Sequence, residues 1–336
     1  MAVGFSWSLF SATKHGADQR CLGIELHNSQ AFAVYSDQGG VRLCYTPKEG
    51  EQGMAGLEQW IADNRLSELP VVISLDSLDY ELHLLEAPAV ADDELSAALQ
   101  FRIRDIISRP VSDVIVQGFR LPSDAYRGRM DMAFAVVAER EVVRQLVSWC
   151  ERLELTLELI TVPELSLLNL LADYAPDGSI GVLRLDASDG MIYLYREGAL
   201  YLARHLHTGA EVLSRAAAAM PAVEDGLTLA TDHSDIDAVA LELQRSLDFF
   251  DSQQGMGMVS EIWVLHPDEA DISAVLPVLE ASINVSVRHF ALPVSAAPGA
   301  PSDEQEQATL TASLAAAYGG ILARQQMLAA GQGVAV

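Results

Sequence analysis

The chain is poor in cysteine, in basic residues and in long apolar runs, and each shortage excludes a class of protein. Its three cysteines, Cys21, Cys44 and Cys150, form no C-x-x-C pair and leave an odd count. Neither a zinc site nor a disulfide framework is therefore expected, and a reducing compartment fits. Lys and Arg number 21 against 47 Asp and Glu, a formal charge of -26 over 336 residues. So acidic a chain repels phosphate backbones and anionic lipid, so nucleic acid is not an expected partner. No stretch approaches the ~20 apolar residues of a membrane span. The most apolar charge-free run, 308–323, is rich in Ala, Thr and Gly and follows the acidic 303–307, which reads as a helix start. Residues 1–17 lack the basic and apolar regions of a signal peptide, and the expected location is the cytoplasm. No G-x-x-x-x-G-K-[ST] and no G-x-S-x-G occurs, and Gly255-Met256-Gly257 lacks a third glycine and precedes a strand, so it reads as a turn.

What is present is ample core material: half the residues are hydrophobic, enough for two to four modules. Residues 21–26, 31–35 and 41–45 read as a β-meander, followed by a helix over 54–65 and an apolar strand at 71–75. The same order returns at 180–185, 191–195 and 199–205, then two helical stretches and a strand at 261–265. Leu22-Gly23-Ile24-Glu25-Leu26 parallels Gly181-Val182-Leu183-Arg184-Leu185-Asp186, each with an acid near the strand end and a polar turn after it. An internal duplication explains the parallel. Between the repeats, residues 80–162 read β-α-β-β-α-β, a small sheet covered by two helices on one face. Further helices are expected at 237–253, 271–282 and 306–326 and a strand at 285–289. A Pro/Ala loop falls at 293–303 and a flexible tail at 329–336.

The run Ala98-Leu99-Gln100-Phe101-Arg102-Ile103-Arg104-Asp105-Ile106-Ile107 with Val111-Ser112-Asp113-Val114, and the run Leu241 to Phe250, resemble the PilM/MshI family of type IV and mannose-sensitive pilus biogenesis. The resemblance covers roughly Phe5 to Arg324. It implies an α/β, actin-like (ribonuclease H-like) duplicated two-lobe fold with a small α+β domain inserted in the first lobe. The expected segments are an apolar and basic start (1–19), first lobe (20–76), inserted domain (77–162), return helix (163–178), second lobe (179–328) and tail (329–336). The family implies a cytoplasmic scaffold at the inner-membrane face, gripping the tail of a PilN-type inner-membrane protein and meeting other platform proteins. Membrane association would come through those partners. At the start of the chain, Phe5, Trp7, Leu9 and Phe10 ahead of Lys14 either touch a membrane surface or pack on the body.

Some members of that family hold ATP between the lobes, which needs an Asp and a Gly-containing turn from each hairpin, because backbone N–H groups must approach the phosphates and a carboxylate must organise the metal. Here the first turn offers Glu25, His27 and Asn28, and the second offers Asp186, Ser188 and Gly190. These loops read as eroded, so the expectation is no cofactor or weakly bound ATP with Mg, and no catalytic residue. Gly319 and Gly320 resemble the glycine pair that admits a purine; close helix packing is the alternative. A nucleotide-dependent ATPase or kinase on the same fold, and an L-type component of type II secretion, are the other functional readings. His205 and His207 share a strand face as a metal pair or a partner-facing pair, and Arg127-Gly128-Arg129 reads as a solvated turn or as a receiver for an acidic tail.

Overall fold

The computed structural model describes residues 19–37, 40–48, 50–171, 178–220, 234–267, 270–290, 292–293, 309–310 and 312–329. Residues 1–18 of the expected N-terminal segment, most of the Pro/Ala loop and most of the tail lie outside them.

The first lobe opens with β1 (Cys21–His27), β2 (Gln30–Asp37) and β3 (Gly40–Tyr45), continues through α1 (Ala55–Asp63) and returns as β4 (Pro70–Ser74). Asn28 and Ser29 form a two-residue hairpin with φ of 50° and 61°, the left-handed pair that matches strand twist. All five residues of β4 are buried, as a central parallel strand with covered faces requires. Then follow β5 (Tyr80–Glu86), α2 (Leu95–Ile103), β6 (Val114–Arg120), β7 (Met132–Glu139), α3 (Arg140–Arg152), β8 (Thr156–Thr161) and α4 (Pro163–Leu171).

The second lobe contains β9 (Ser179–Leu185), β10 (Gly190–Arg196), β11 (Ala199–Leu206), α5 (Ala210–Ala219), α6 (Ser234–Asp248), β12 (Glu261–Leu265), α7 (Leu276–Ile283) and β13 (Ser286–His289). The last helix, α8, spans Ala315–Ala329. The first sheet has the order β3-β2-β1-β4-β8 and the second β11-β10-β9-β12-β13. In each, two antiparallel pairings are followed by two parallel ones. The duplication expected from the two hairpins therefore extends to whole sheets.

Two boundaries differ from the sequence reading. β8 does not close the inserted unit; it pairs in parallel with β4, Val72 opposite Leu159 and Ser74 opposite Thr161. Helix α3 goes with it, tied to α1 where Trp149 Nε1 donates to Glu58 at 2.8 Å and Arg152 pairs with Glu58 at 2.7 Å. The inserted sheet is β5-β7-β6 alone. Leu95, Leu99 and Ile103 of α2 cover one face in a small separate cluster with Val114, Val116, Ala133, Ala135 and Val137. The second correction concerns α8, expected in the second lobe, which packs on α4, β1 and β4 of the first. Small residues on both sides permit this: a Cβ at Gly23 of β1 would lie 2.1 Å from the carbonyl of Ala317 on α8.

Candidate functional site

The turns after β1 and β9 face each other across the gap between the lobes. Glu25, fully buried near the end of β1, accepts a hydrogen bond from the Arg184 guanidinium on β9. His27, two residues further, lies 2.7 Å from Asp186 through Nε2 and Oδ1. Two side-chain pairs thus bridge the lobes where the sequence placed the phosphate turns. Burial alone would raise the Asp186 carboxyl; the hydrogen bond and charge of His27, then Arg184 and His205, outweigh it and hold the group below the usual carboxylate range. Arg184 is held even more firmly charged, since Glu25 and its acidic neighbours more than offset its burial.

The backbone shapes both turns. The Asp186 N–H donates to the Asp189 carbonyl at 2.8 Å, and the Asp186 carbonyl accepts from Ala210 N–H at 2.7 Å, fastening the turn to the start of α5. Gly190 meets a real need: a Cβ there would lie 2.8 Å from the Arg184 carbonyl. Asn28 and Ser188 are exposed. On the first lobe, Asp76 accepts from the N–H groups of Ser29 and Leu78 at 3.0 and 3.1 Å, joining the hairpin to the exit of β4.

Two features here escaped the sequence reading. Glu164, buried in the first turn of α4, accepts a 2.7 Å hydrogen bond from Tyr80. Burial raises its carboxyl despite the opposing hydrogen bonds and Arg184. The other is a cleft of about 420 Å³ beside the second turn, lined by Ala187, Ala210, Glu211, Ser214, Arg215 and Pro267. No motif marks it, because its walls come from three separate elements.

Gly319 and Gly320 do not line that cleft. A Cβ on Gly319 would lie 2.1 Å from the Ser166 carbonyl, and one on Gly320 2.9 Å from Val72 Cγ1. The pair lets α8 pack closely on α4 and β4, the helix-packing alternative of the sequence reading. As placed, the remaining candidates do not fit a metal-bound triphosphate between the turns. Both acids are engaged by cationic or imidazole partners, Glu25 by Arg184 and Asp186 by His27. Among the described residues no group of three or more His, Cys, Asp or Glu is arranged to share a metal ion. His205 faces Asp189 at 3.9 Å and His207 faces Glu242 at 3.4 Å. The Arg127 loop is not simply solvated: Arg127 donates to the Ser252 carbonyl at 3.1 Å and Tyr126 sets its ring edge against Phe249, at 6.3 Å between centroids. The loop joining β6 to β7 is therefore docked on the second lobe.

Paired sheets of this order, with an inserted sheet and a polar gap between them, define the actin-like two-lobed fold. No family model matches the chain, and no curated protein sequence does. Solved structures do. A PilM-PilN type IV pilus biogenesis complex is similar over 90% of this chain and 97% of that one, with a TM-score of 0.65 and 21% identity. The cytoplasmic domain of EpsL, an inner membrane component of the type II secretion system of Vibrio cholerae, covers 92% of this chain and 95% of its own at a TM-score of 0.47 and 15% identity. A Bacteroides thetaiotaomicron protein of unknown function with an actin-like ATPase fold covers 82% and 91% at 0.48 and 13%. The PilM likeness establishes the fold. Among the described residues no helix is long and apolar enough to cross a membrane.

Proposed function

We propose that the chain is a scaffold of a type IV, MSHA-type pilus assembly platform, working at the cytoplasmic face of the inner membrane and binding the cytoplasmic tail of a PilN-type membrane protein. The observation that carries this reading is the match of fold over 90% of the chain to a protein solved in complex with PilN. Local structure supports a peptide-binding role. In the inserted sheet β5 is an edge strand that, among the described residues, pairs only with β7, an arrangement suited to accepting an added strand along Tyr80–Glu86. Leu78, exposed at the entrance to that strand, and a narrow crevice lined in part by Tyr80, Ile107 and Val137 offer apolar anchor points where the inserted sheet leaves the first lobe. Nucleotide binding is weak or absent in this reading, because admitting a triphosphate between the turns requires breaking Glu25–Arg184 and His27–Asp186 first.

Affinity capture from native membranes tests the proposal. A bitopic inner-membrane protein with a short cytoplasmic tail is the expected co-purifying species, and its binding is lost on Leu78→Asp. Failure to enrich any such protein contradicts the reading.

A further inference from the structure

The outward face of α2 carries a second candidate surface, separate from the open edge of β5. Phe101 on that helix is 73% exposed, and Ile106, just beyond its end, is 48% exposed. Phe101 borders a groove of about 310 Å³ whose other walls are Gln100, Arg104, Val111, Ser112 and Arg140. The interior face of the same helix is already used, since Leu95, Leu99 and Ile103 are buried against β6 and β7. The folding of the inserted sheet therefore gives no reason for an aromatic ring at position 101.

The charge around the groove runs against the charge of the chain. The groove walls carry two cations, Arg104 and Arg140, and no carboxylate, while the whole chain carries -26. Arg140 is preorganised: its Nε donates to the Ser112 carbonyl and its Nη2 to the Val114 carbonyl, both at 2.9 Å, so the guanidinium is fixed at the groove wall with its Nη1 outside those bonds. Arg104 is loosely held, 3.4 Å from its sequence neighbour Asp105, with both side chains mostly exposed. A fixed guanidinium, a movable one and an aromatic ring around a concavity are the groups that bind a carboxylate-bearing peptide with an apolar anchor. A flat anionic bilayer would make poor use of a recess and would be repelled by the rest of the chain.

We infer that this groove docks an acidic peptide segment of a partner protein, seating an apolar side chain against Phe101 and a carboxylate between Arg104 and Arg140. The surface is independent of the tail-binding edge proposed above, and either can fail without the other.

The test is a selection of 12-residue peptides displayed on phage against the full chain, followed by titration of the enriched peptides in solution. Peptides of net negative charge with one aromatic or large aliphatic residue are expected. Phe101→Ser and Arg104→Glu, both solvent-facing changes that should leave the thermal midpoint unchanged, are expected to weaken binding by about tenfold or more. Binding should also fall steeply with added salt. No enrichment, enrichment of neutral or basic peptides, or equal binding to the variants overturns the inference. So does binding of phosphatidylglycerol-containing vesicles that is lost in Phe101→Ser while acidic peptides do not bind.

Discussion

Arg184 on β9 and Glu25 on β1 form a buried ion pair that reaches from one lobe to the other. Each is the sole charged side chain in an otherwise apolar strand core, and each neutralises the other where a solitary charge would be costly. The pair closes the gap between the lobes from inside, with His27 and Asp186 closing it nearer the solvent.

Removing one member should be much worse than removing both. Arg184→Met leaves Glu25 buried without its partner and is expected to cost about 3–5 kcal/mol. The double variant Glu25→Leu with Arg184→Met should recover most of that loss, since a packed apolar pair avoids the desolvation of two charges. Urea unfolding of the wild type, both single variants and the double variant measures the cycle.

The outer pair gives a pH signature. The Asp186 carboxyl lies below its ordinary range when folded. Its ionised form therefore contributes stability that is fully present above the unfolded value of about 3.9 and is lost as pH falls through the lower folded value. His27→Leu removes the hydrogen bond and charge that outweigh burial. Between about pH 3 and 6, the stability gap between wild type and His27→Leu should be widest at the upper end and close toward the lower.

Glu164 should show the opposite slope. Burial raises its carboxyl above the ordinary 4.5, so its contribution is complete below that value and declines as pH rises through the folded one. Glu164→Gln keeps an acceptor for Tyr80 and removes the titration. The variant should gain on the wild type from pH 4 to pH 7, by about 1.4 kcal/mol for each unit that the carboxyl is raised. Denaturant melts at the two pH values measure it.

Gly319→Ala separates packing from a purine pocket. In an open helix position alanine would stabilise by about 0.5–1 kcal/mol. Here its Cβ meets the Ser166 carbonyl at 2.1 Å, so the expected result is a loss of about 1–3 kcal/mol or more. A variant as stable as the wild type would contradict the packing role of α8.

Much of this was readable from the residues. The runs ending in Glu25 and Asp186 announced two equivalent central strands, because parallel strands covered on both faces need uninterrupted Val, Ile and Leu. The order of polar turns supplied the hairpins. The sheet to which β8 belongs was not readable, since Leu157, Leu159 and Ile160 would be buried equally well in either sheet and parallel pairing leaves no local mark. Helix α8 was misplaced for a related reason: its Ala and Gly face indicates close contact but not with which element. Arg184 was visible as a lone cation in a buried strand, yet a single sequence does not state that its partner is Glu25, 159 positions away. The large cleft beside Ala187 and the Phe101 groove needed the assembled surface, because their walls come from elements distant in sequence or from opposite ends of a loop.

The central claim is that this actin-like body holds a membrane-protein tail without needing nucleotide. It is tested most directly by titrating the purified chain with a fluorescent peptide carrying the cytoplasmic tail of its co-purified inner-membrane partner, with and without millimolar Mg-ATP. Saturable binding of equal strength under both conditions is the predicted result. Absence of binding, or binding that appears only when Mg-ATP is present, would contradict the account.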